Sequence, residues 1–307
     1  MAMTEDVTAP GNTRIKAIGL MCAAVAIFSV LDMCAKYLSA DHHTVQVVWA
    51  RYAGHVLFTL LLFRPQSIIA QLSSKRPGLQ IWRGTMLIVA TICNFWALRY
   101  LQLTETVSVF FLGPLLVAAL SVFFLGEKVG IRRWGAIIVG FLGVMIVVRP
   151  GFGGLQWAFG FSFAAVGAYA FYAIGTRMLA SIDRPETSLL YSALVGFVLA
   201  TPLVPFFAVW PKDLLSWGLF LAMGLFGAVG HYLLILAHQH TEASVVAPFA
   251  FTAIIWMAVG GYVVFGDIPV WTTLVGAGVV IASGLYLLYR ERAVKVPEGA
   301  SGPSSVS

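Results

Sequence analysis

AIGLMCAAVAIFSVLDMCAKYL (residues 17–38) and AFGFSFAAVGAYAFYAIGTRML (residues 158–179) align without a gap. Ala23-Ala24-Val25 falls on Ala164-Ala165-Val166, Gly19 on Gly160, Phe28 on Tyr169 and Lys36 on Arg177, an offset of 141. Two further echoes keep the same order. The run ending in Gly126-Glu127 lies on that ending in Gly266-Asp267, and Gly135-Ala136 and Gly143 lie on Gly276-Ala277 and Gly284. Apolar segments align by chance, so one echo means little. Echoes that recur in order at an offset of 140 or 141 mark a duplicated unit.

Each copy is built from apolar stretches, and a helix needs roughly 20 such residues to cross the ~30 Å hydrocarbon core of a bilayer. The stretches 107–126, 150–176, 187–211, 243–266 and 268–289 contain no Asp, Glu, Lys or Arg, and 214–236 is interrupted only by His231. The stretches 16–38, 44–63, 82–101 and 131–148 carry a charge or are short. All are too long for barrel strands and lack alternation. The expectation is an all-α integral membrane protein with ten transmembrane helices, arranged as two inverted five-helix repeats. Inversion follows because five crossings are an odd number, so the second copy enters the membrane upside down. Inverted repeats with a site between them are how many secondary transporters achieve alternating access.

Composition agrees. Of 307 residues, 60% are apolar and 10% charged, against about 45–50% and about 25% in a soluble domain. This excludes a soluble enzyme, and the apolar excess excludes a disordered chain. Cys22, Cys34 and Cys93 all sit in apolar stretches, with neither disulfide nor zinc spacing. The net charge of +6 comes from basic residues scattered between apolar stretches, a pattern of the cytoplasmic membrane face rather than of a nucleic-acid partner. With the N-terminus inside, only Lys36, Arg99, Arg149 and Lys212 of the 19 basic residues fall outside, and Arg51 lies within a span. The expected boundaries are a cytoplasmic tail at 1–14, repeats at 15–149 and 150–290, and a disordered cytoplasmic tail at 291–307. No cleavable signal peptide is expected, because the apolar stretch after the polar residues 1–13 is too long for a signal h-region. Gly151-Phe152-Gly153-Gly154 lacks the Lys-Ser/Thr of a phosphate loop and reads as a tight external turn.

Ionisable groups inside a membrane are functional suspects. Asp32 and Lys36 share one helix face by their i,i+4 spacing, Arg51 lies in the second span, and Arg99 and Glu105 flank the third loop. Two readings stay open: Asp32–Lys36 and Arg99–Glu105 as ion pairs that lock or gate helices, and Asp32 with Arg51 as lining of a substrate cavity. His231 is a packing histidine or a proton-coupling one. His238, His240 and Glu242 lack the spacing of a helix-face ligand set, so no metal is expected. Six tryptophans near span ends (Trp82, Trp134, Trp157, Trp210, Trp217 and Trp271) suit interfacial belts. The deeper Trp49, Trp96, Phe110, Tyr169, Tyr172 and Trp256 are core packing or cavity wall, and Phe28 with Tyr169, matched in the repeat, could stack a flat ring between them. Asn94 joins this candidate cavity set. Pro114, Pro202, Pro205 and Pro248 are expected to kink their helices.

The segment ALRYLQLTETVSVFFLGPLLVAALSVFFLGEKVGIRRWGAIIVGFLGVMIVVRPG (97–151) resembles the signature of EamA-type permeases in the drug/metabolite transporter superfamily. The second copy departs from it, with Ile254 for Pro114, Pro248 earlier, and Asp267 for Glu127. The resemblance covers about residues 15–290 and implies a transporter in a bacterial inner membrane, with a small-molecule substrate and no cofactor. Similar proteins move amino acids, nucleosides, vitamins, polyamines and S-adenosylmethionine. Asp32 with Lys36, Trp49-Ala50-Arg51-Tyr52 and Asn94-Phe95-Trp96-Ala97 look closest to riboflavin or S-adenosylmethionine uptake carriers. An outer vestibule with Lys36, Arg51 and Arg99 against Asp32 and Glu105 disfavours a cation, so riboflavin leads; amino-acid or drug export is the alternative. Membrane lipid is the surrounding partner, and a homodimer stays open. An intramembrane enzyme would need HExxH, paired DxxD or GxSG, and a channel a filter or ring of charges; the sequence has none of these motifs.

Overall fold

A backbone in lipid must satisfy its own polar groups, which a helix does along its whole length. The computed structural model describes residues 10–62, 72–126, 130–150, 156–179, 182–240 and 246–295, and its regular elements there are all helical. They are α1 (Pro10–Asp41), α2 (Thr44–Leu62), α3 (Pro77–Tyr100), α4 (Leu103–Phe110), α5 (Gly113–Phe124), α6 (Ile131–Val148), α7 (Gln156–Leu179), α8 (Pro185–Ala200), α9 (Val204–Phe207), α10 (Leu214–His240), α11 (Ala253–Phe265) and α12 (Trp271–Lys295). A 3-10 turn at Thr201–Leu203 joins α8 to α9, and another at Ala247–Thr252 leads into α11.

Among the described residues, 9 helical stretches are long and apolar enough to cross a membrane, with α4–α5 and α8–α9 each making one crossing. The tenth crossing is α2, whose Gln46, Arg51 and His55 lower its hydropathy and which packs between α8 and α10. Both expected tails are partly helical: α1 begins at Pro10 and α12 runs to Lys295. The rest of those tails and the turn at Gly151–Gly154 lie outside the described residues. Ten crossings put Pro10 and Lys295 at one end of the bundle, called here the terminal end. The connections at 42–43, 101–102, 208–213 and 266–270 form the distal end.

The interrupted crossings have a covalent cause. Proline has no N–H to give the carbonyl four residues back, so Pro114 leaves Phe110 unbonded and α4 stops there. The matching crossing of the second repeat begins as a 3-10 turn over Ala247–Thr252, with Pro248 at its start, and continues as α11. Both crossings end on a left-handed glycine, Gly126 at φ 68° and Gly266 at φ 69°, a conformation that costs a residue with Cβ.

Helix pairs come in exchanged couples: α1 packs on α10 as α7 packs on α3, and α2 on α10 as α8 on α3. Residue contacts follow. A Cβ on Gly54 would lie 2.6 Å from the Gly224 Cα, and one on Gly84 2.8 Å from the Val195 Cβ. Gly54 corresponds to Val195 and Gly84 to Gly224, so these are one contact seen in both repeats. Phe111 and Phe251 are also counterparts, and they meet each other edge to face at 5.0 Å. They mark the pseudo-two-fold axis. At the distal end Trp157, Trp210, Trp217 and Trp271 are exposed, as an interfacial belt requires. Trp82 instead packs on Phe171 and Gly175.

Candidate functional site

A cavity of about 460 Å³ lies on this axis. Its walls come from α1, α2 (through Arg51), α3, α4–α5, α7, α10 and the 3-10 turn with α11, and the axial Phe111 and Phe251 both line it. Counterpart positions of the two repeats both line it: Phe28 and Tyr169, Leu31 and Tyr172, Asp32 and Ala173, Thr91 and His231, Asn94 and Leu234. The volume suits a single small organic molecule.

Of the expected cavity residues, Phe28, Asp32, Arg51, Asn94, Phe110, Tyr169, Tyr172 and His231 line this space, as does Pro114. Three do not. Trp49 donates its Nε1–H to Thr201 Oγ1 at 3.1 Å, by the α8–α9 break. Trp96 lies against Phe161 and His43 near the distal end. Trp256 is 43% exposed on the outer surface of the bundle. An indole N–H or a wide aromatic face finds a partner on either side of a helix, so depth alone did not orient these three.

The ion pairs also differ from expectation. Lys36 does not close on Asp32 one turn away. Its Nζ reaches across the distal end to Asp267 at 3.2 Å, donates to the Leu101 carbonyl at 2.7 Å and lies 5.2 Å from the Phe265 ring. Glu105 accepts from the Gln102 backbone N–H at 2.9 Å, capping α4, rather than pairing with Arg99. Both corrections have one reason: a carboxylate takes the nearest desolvated donor, and here a backbone N–H or a lysine from another helix is nearer than the neighbour in sequence. Among the described residues no cluster of His, Cys, Asp or Glu could hold a metal ion; Glu242 lies outside them.

The charged groups left at the cavity are Asp32 and Arg51. Asn94 Nδ2 donates to Asp32 Oδ1 at 3.3 Å. Arg51 is 6% exposed and donates Nη1–H to Thr91 Oγ1 at 3.0 Å. Thr91 gives its own proton to the Leu87 carbonyl at 2.9 Å, so the Tyr52 hydroxyl, 3.0 Å away, must also donate to it. The guanidinium additionally lies 4.8 Å from the Tyr52 ring. Thus Tyr52 and Thr91 hold Arg51 in place.

Other residues of the site are not marked by the sequence pattern alone. His55 stacks on His231 with ring centroids 5.4 Å apart, and Phe28 meets His231 edge-on at 4.9 Å. His55 is one turn beyond Arg51, and that i,i+4 spacing was the available clue. Arg83, assigned by the charge rule to a cytoplasmic segment, is buried. It donates to Gln80 at 3.2 Å, Thr176 at 3.2 Å, Ser192 at 2.7 Å and the Ser188 carbonyl, and lies 5.0 Å from the ring of Tyr172 in the cavity wall.

Two five-helix halves around an axial cavity, latched at the distal end, define a membrane transporter. Residues 15–149 and 156–290 each match the EamA-like transporter family, and the chain belongs to that family. It is 25% identical over 283 residues to an S-adenosylmethionine uptake transporter of Rickettsia felis, covering 92% of this chain and 95% of that one. It is 27% identical over 284 residues to a riboflavin transporter of Vibrio cholerae (88% and 92%) and 25% identical over 282 residues to a pseudopaline exporter of Pseudomonas aeruginosa (88% and 95%). A crystal structure described only as "Crystal structure of protein" superposes with a TM-score of 0.63 at 18% identity, over 90% of this chain and 98% of that one, and shares the fold.

Proposed function

We propose that this transporter is a secondary carrier that moves a small organic metabolite with a flat ring across a bacterial inner membrane by alternating access. The observation that carries the reading is the aromatic and polar cavity on the axis, lined at counterpart positions by both repeats. A site on the axis is reached from either side when the two halves, 15–149 and 150–290, rock about it. The basic residues favour both termini in the cytoplasm. In that orientation Lys36–Asp267 closes the outer end.

Riboflavin and S-adenosylmethionine are the first substrates to test, since each names a relative of this chain. A preference for riboflavin needs a vestibule with an excess of basic groups, whereas Lys36, Arg99 and Glu105 do not line the cavity, whose charged side chains are Asp32 and Arg51. The test is uptake of labelled riboflavin, S-adenosylmethionine and aromatic amino acids into proteoliposomes. Saturable flux that unlabelled substrate competes away is expected, and Ala250→Trp, which fills the cavity, should abolish it. Flux that stays linear with concentration would make the protein a channel, and no flux of any panel member with verified insertion would remove the reading.

A further inference from the structure

The last crossing of the first repeat, α6, packs along the last crossing of the second, α12. The seam is tight enough to give its register. A Cβ on Gly140 would lie 2.7 Å from Ser283 Oγ, one on Gly143 2.9 Å from Val280 Cγ2, and one on Gly276 2.6 Å from Val147 Cγ2. Each step up α6, from 140 to 143 to 147, is matched by an equal step down α12, from 283 to 280 to 276. The helices are antiparallel and in register. Continued the other way, that register sets Arg133 opposite Arg290. Each arginine stays on the seam stripe, because residues seven apart share a helix face, and each is half-buried. At the terminal end the seam therefore finishes on two arginine positions set against each other.

Like charges at one helix contact destabilise it, and partly buried ones are screened less than exposed ones. Among the described residues none accepts a hydrogen bond from either guanidinium or forms an ion pair with it. The acids of the adjoining sequence are too few. Segments 127–133 and 290–295 hold Lys128, Arg132, Arg133, Arg290, Arg292 and Lys295 against Glu127 and Glu291. Duplication does not impose the pair either, since the counterparts at the distal end of the same seam are Leu274 and Arg149. On the outer surface beside the seam, deeper in the two crossings, Ile138, Phe141, Leu142 and Leu285 are exposed. Trp134, half-buried, and Tyr289, exposed, are the sequence neighbours of the two arginines, and such rings favour the headgroup level.

We propose that this corner is a binding site for an anionic phospholipid of the terminal-side leaflet. The lipid phosphate lies between Arg133 and Arg290 and accepts charge-assisted hydrogen bonds from both. Its chains run along the exposed apolar surface of α6 and α12. Basic pockets between membrane helices take lipid headgroups in this way. The position decides for a lipid over a soluble anion or an acidic peptide: the apolar surface under the arginines belongs to the crossings, where chains attached to the phosphate reach and water-borne partners do not. One lipid would touch both repeats, α6 of the first and α12 of the second, and so clamp the halves at one end of their seam. The proposal is independent of what the axial cavity carries.

The test is thermal unfolding of the full-length protein in nanodiscs of phosphatidylcholine alone or in an equal mixture with phosphatidylglycerol. The native protein should melt roughly 3 °C or more higher in the mixture, as a ligand of the folded state requires. Arg133→Gln with Arg290→Gln should remove most of that gain. In phosphatidylcholine alone the same double variant should melt no lower than the native protein, because its repulsion is gone. Arg14→Gln with Lys16→Gln removes two exposed charges at the same end but off the seam, and should keep the gain. If the double variant does not fold, Arg133→Gln alone should lose about half of the gain, as about equal contributions from two arginines imply. No gain in the native protein, a gain that survives both seam substitutions, or one lost equally with Arg14 and Lys16 would overturn the proposal. Inorganic phosphate that gives the same gain in phosphatidylcholine alone would also overturn it, by making the ligand a free anion.

Discussion

Arg83 shows how a single side chain can tie this fold together. Its guanidinium is 1% exposed and donates to partners on α3, α7 and α8. Removing it strips three helices of a common donor and leaves a void, so Arg83→Ala should cost roughly 2–4 kcal/mol, read as a lower melting temperature of the full-length protein in nanodiscs. Arg83→Lys should recover only part, since an ammonium lacks the fork; an unchanged melt for both would contradict this role. Asp183, in the connection between α7 and α8, makes a second tie at the terminal end. Partial burial pushes its pKa up, but the Ser74 and Gln80 side chains, the Lys75 backbone N–H and the Lys75 charge outweigh it and hold the carboxyl below its ordinary value. The folded pKa is thus below the unfolded one. The stability it adds is present in full above the unfolded value near pH 4 and is lost as pH falls through the folded value. Melting curves of the native protein and Asp183→Asn should differ at neutral pH and converge below about pH 4; a constant difference would sink the assignment. At this scale the sequence was legible for Asp32 and Arg51, because a charge deep in an apolar run stands out. Arg83 sits near a predicted span end, where a long side chain normally reaches water, so its burial could not be read from one dimension.

At the scale of the element, helix lengths and breaks follow from local chemistry. Pro114 ends α4, and Gly126 and Gly266 supply the left-handed residues that end α5 and α11. What local chemistry omits is the partner. Gly224, Gly227 and Gly230 announce a close helix contact, but the element they admit is decided by packing: Gly224 takes the α2 backbone at Gly54, and Gly230 takes the Phe28 ring. At Gly54 the obstacle is backbone, which cannot swing aside. Gly54→Ala should therefore push α2 from α10 and cost about 1–3 kcal/mol, whereas Gly19→Ala, with nothing near its Cβ, should be neutral or slightly stabilising. Thermal unfolding of the two variants side by side checks this, and equal melting temperatures would refute the close contact. Trp49, Trp96 and Trp256 teach the same lesson. Their sequence places them in spans but not on a face, because apolar periodicity is weak in helices that meet lipid on one side and protein on the other.

For the whole molecule, the proposed carrier mechanism makes Lys36–Asp267 the contact that must break to open the distal end. Lys36, the Leu101 carbonyl and Asp267 join the first crossing to connections from both repeats. Lys36→Met should loosen that end alone. Amide exchange over 101–110 and 261–271 should speed up about tenfold, as expected for a partly buried charge-assisted contact, with 72–80 and 182–190 unchanged. Exchange that rises at both ends alike would mean general destabilisation, and no rise would mean the pair is ornamental. The sequence by itself determined the membrane class, the ten crossings, the duplication and its inversion. Those depend on apolar length, on order and on an odd number of crossings, all of which are one-dimensional properties. Only the tertiary structure decided which charges share a cavity, that Lys36 answers Asp267 rather than Asp32, and that both charges in the cavity wall, Asp32 and Arg51, come from the first repeat. Such partnerships join residues far apart in the chain, and in a low-dielectric interior they are chosen by distance in space, to which sequence spacing is blind beyond a single helical turn.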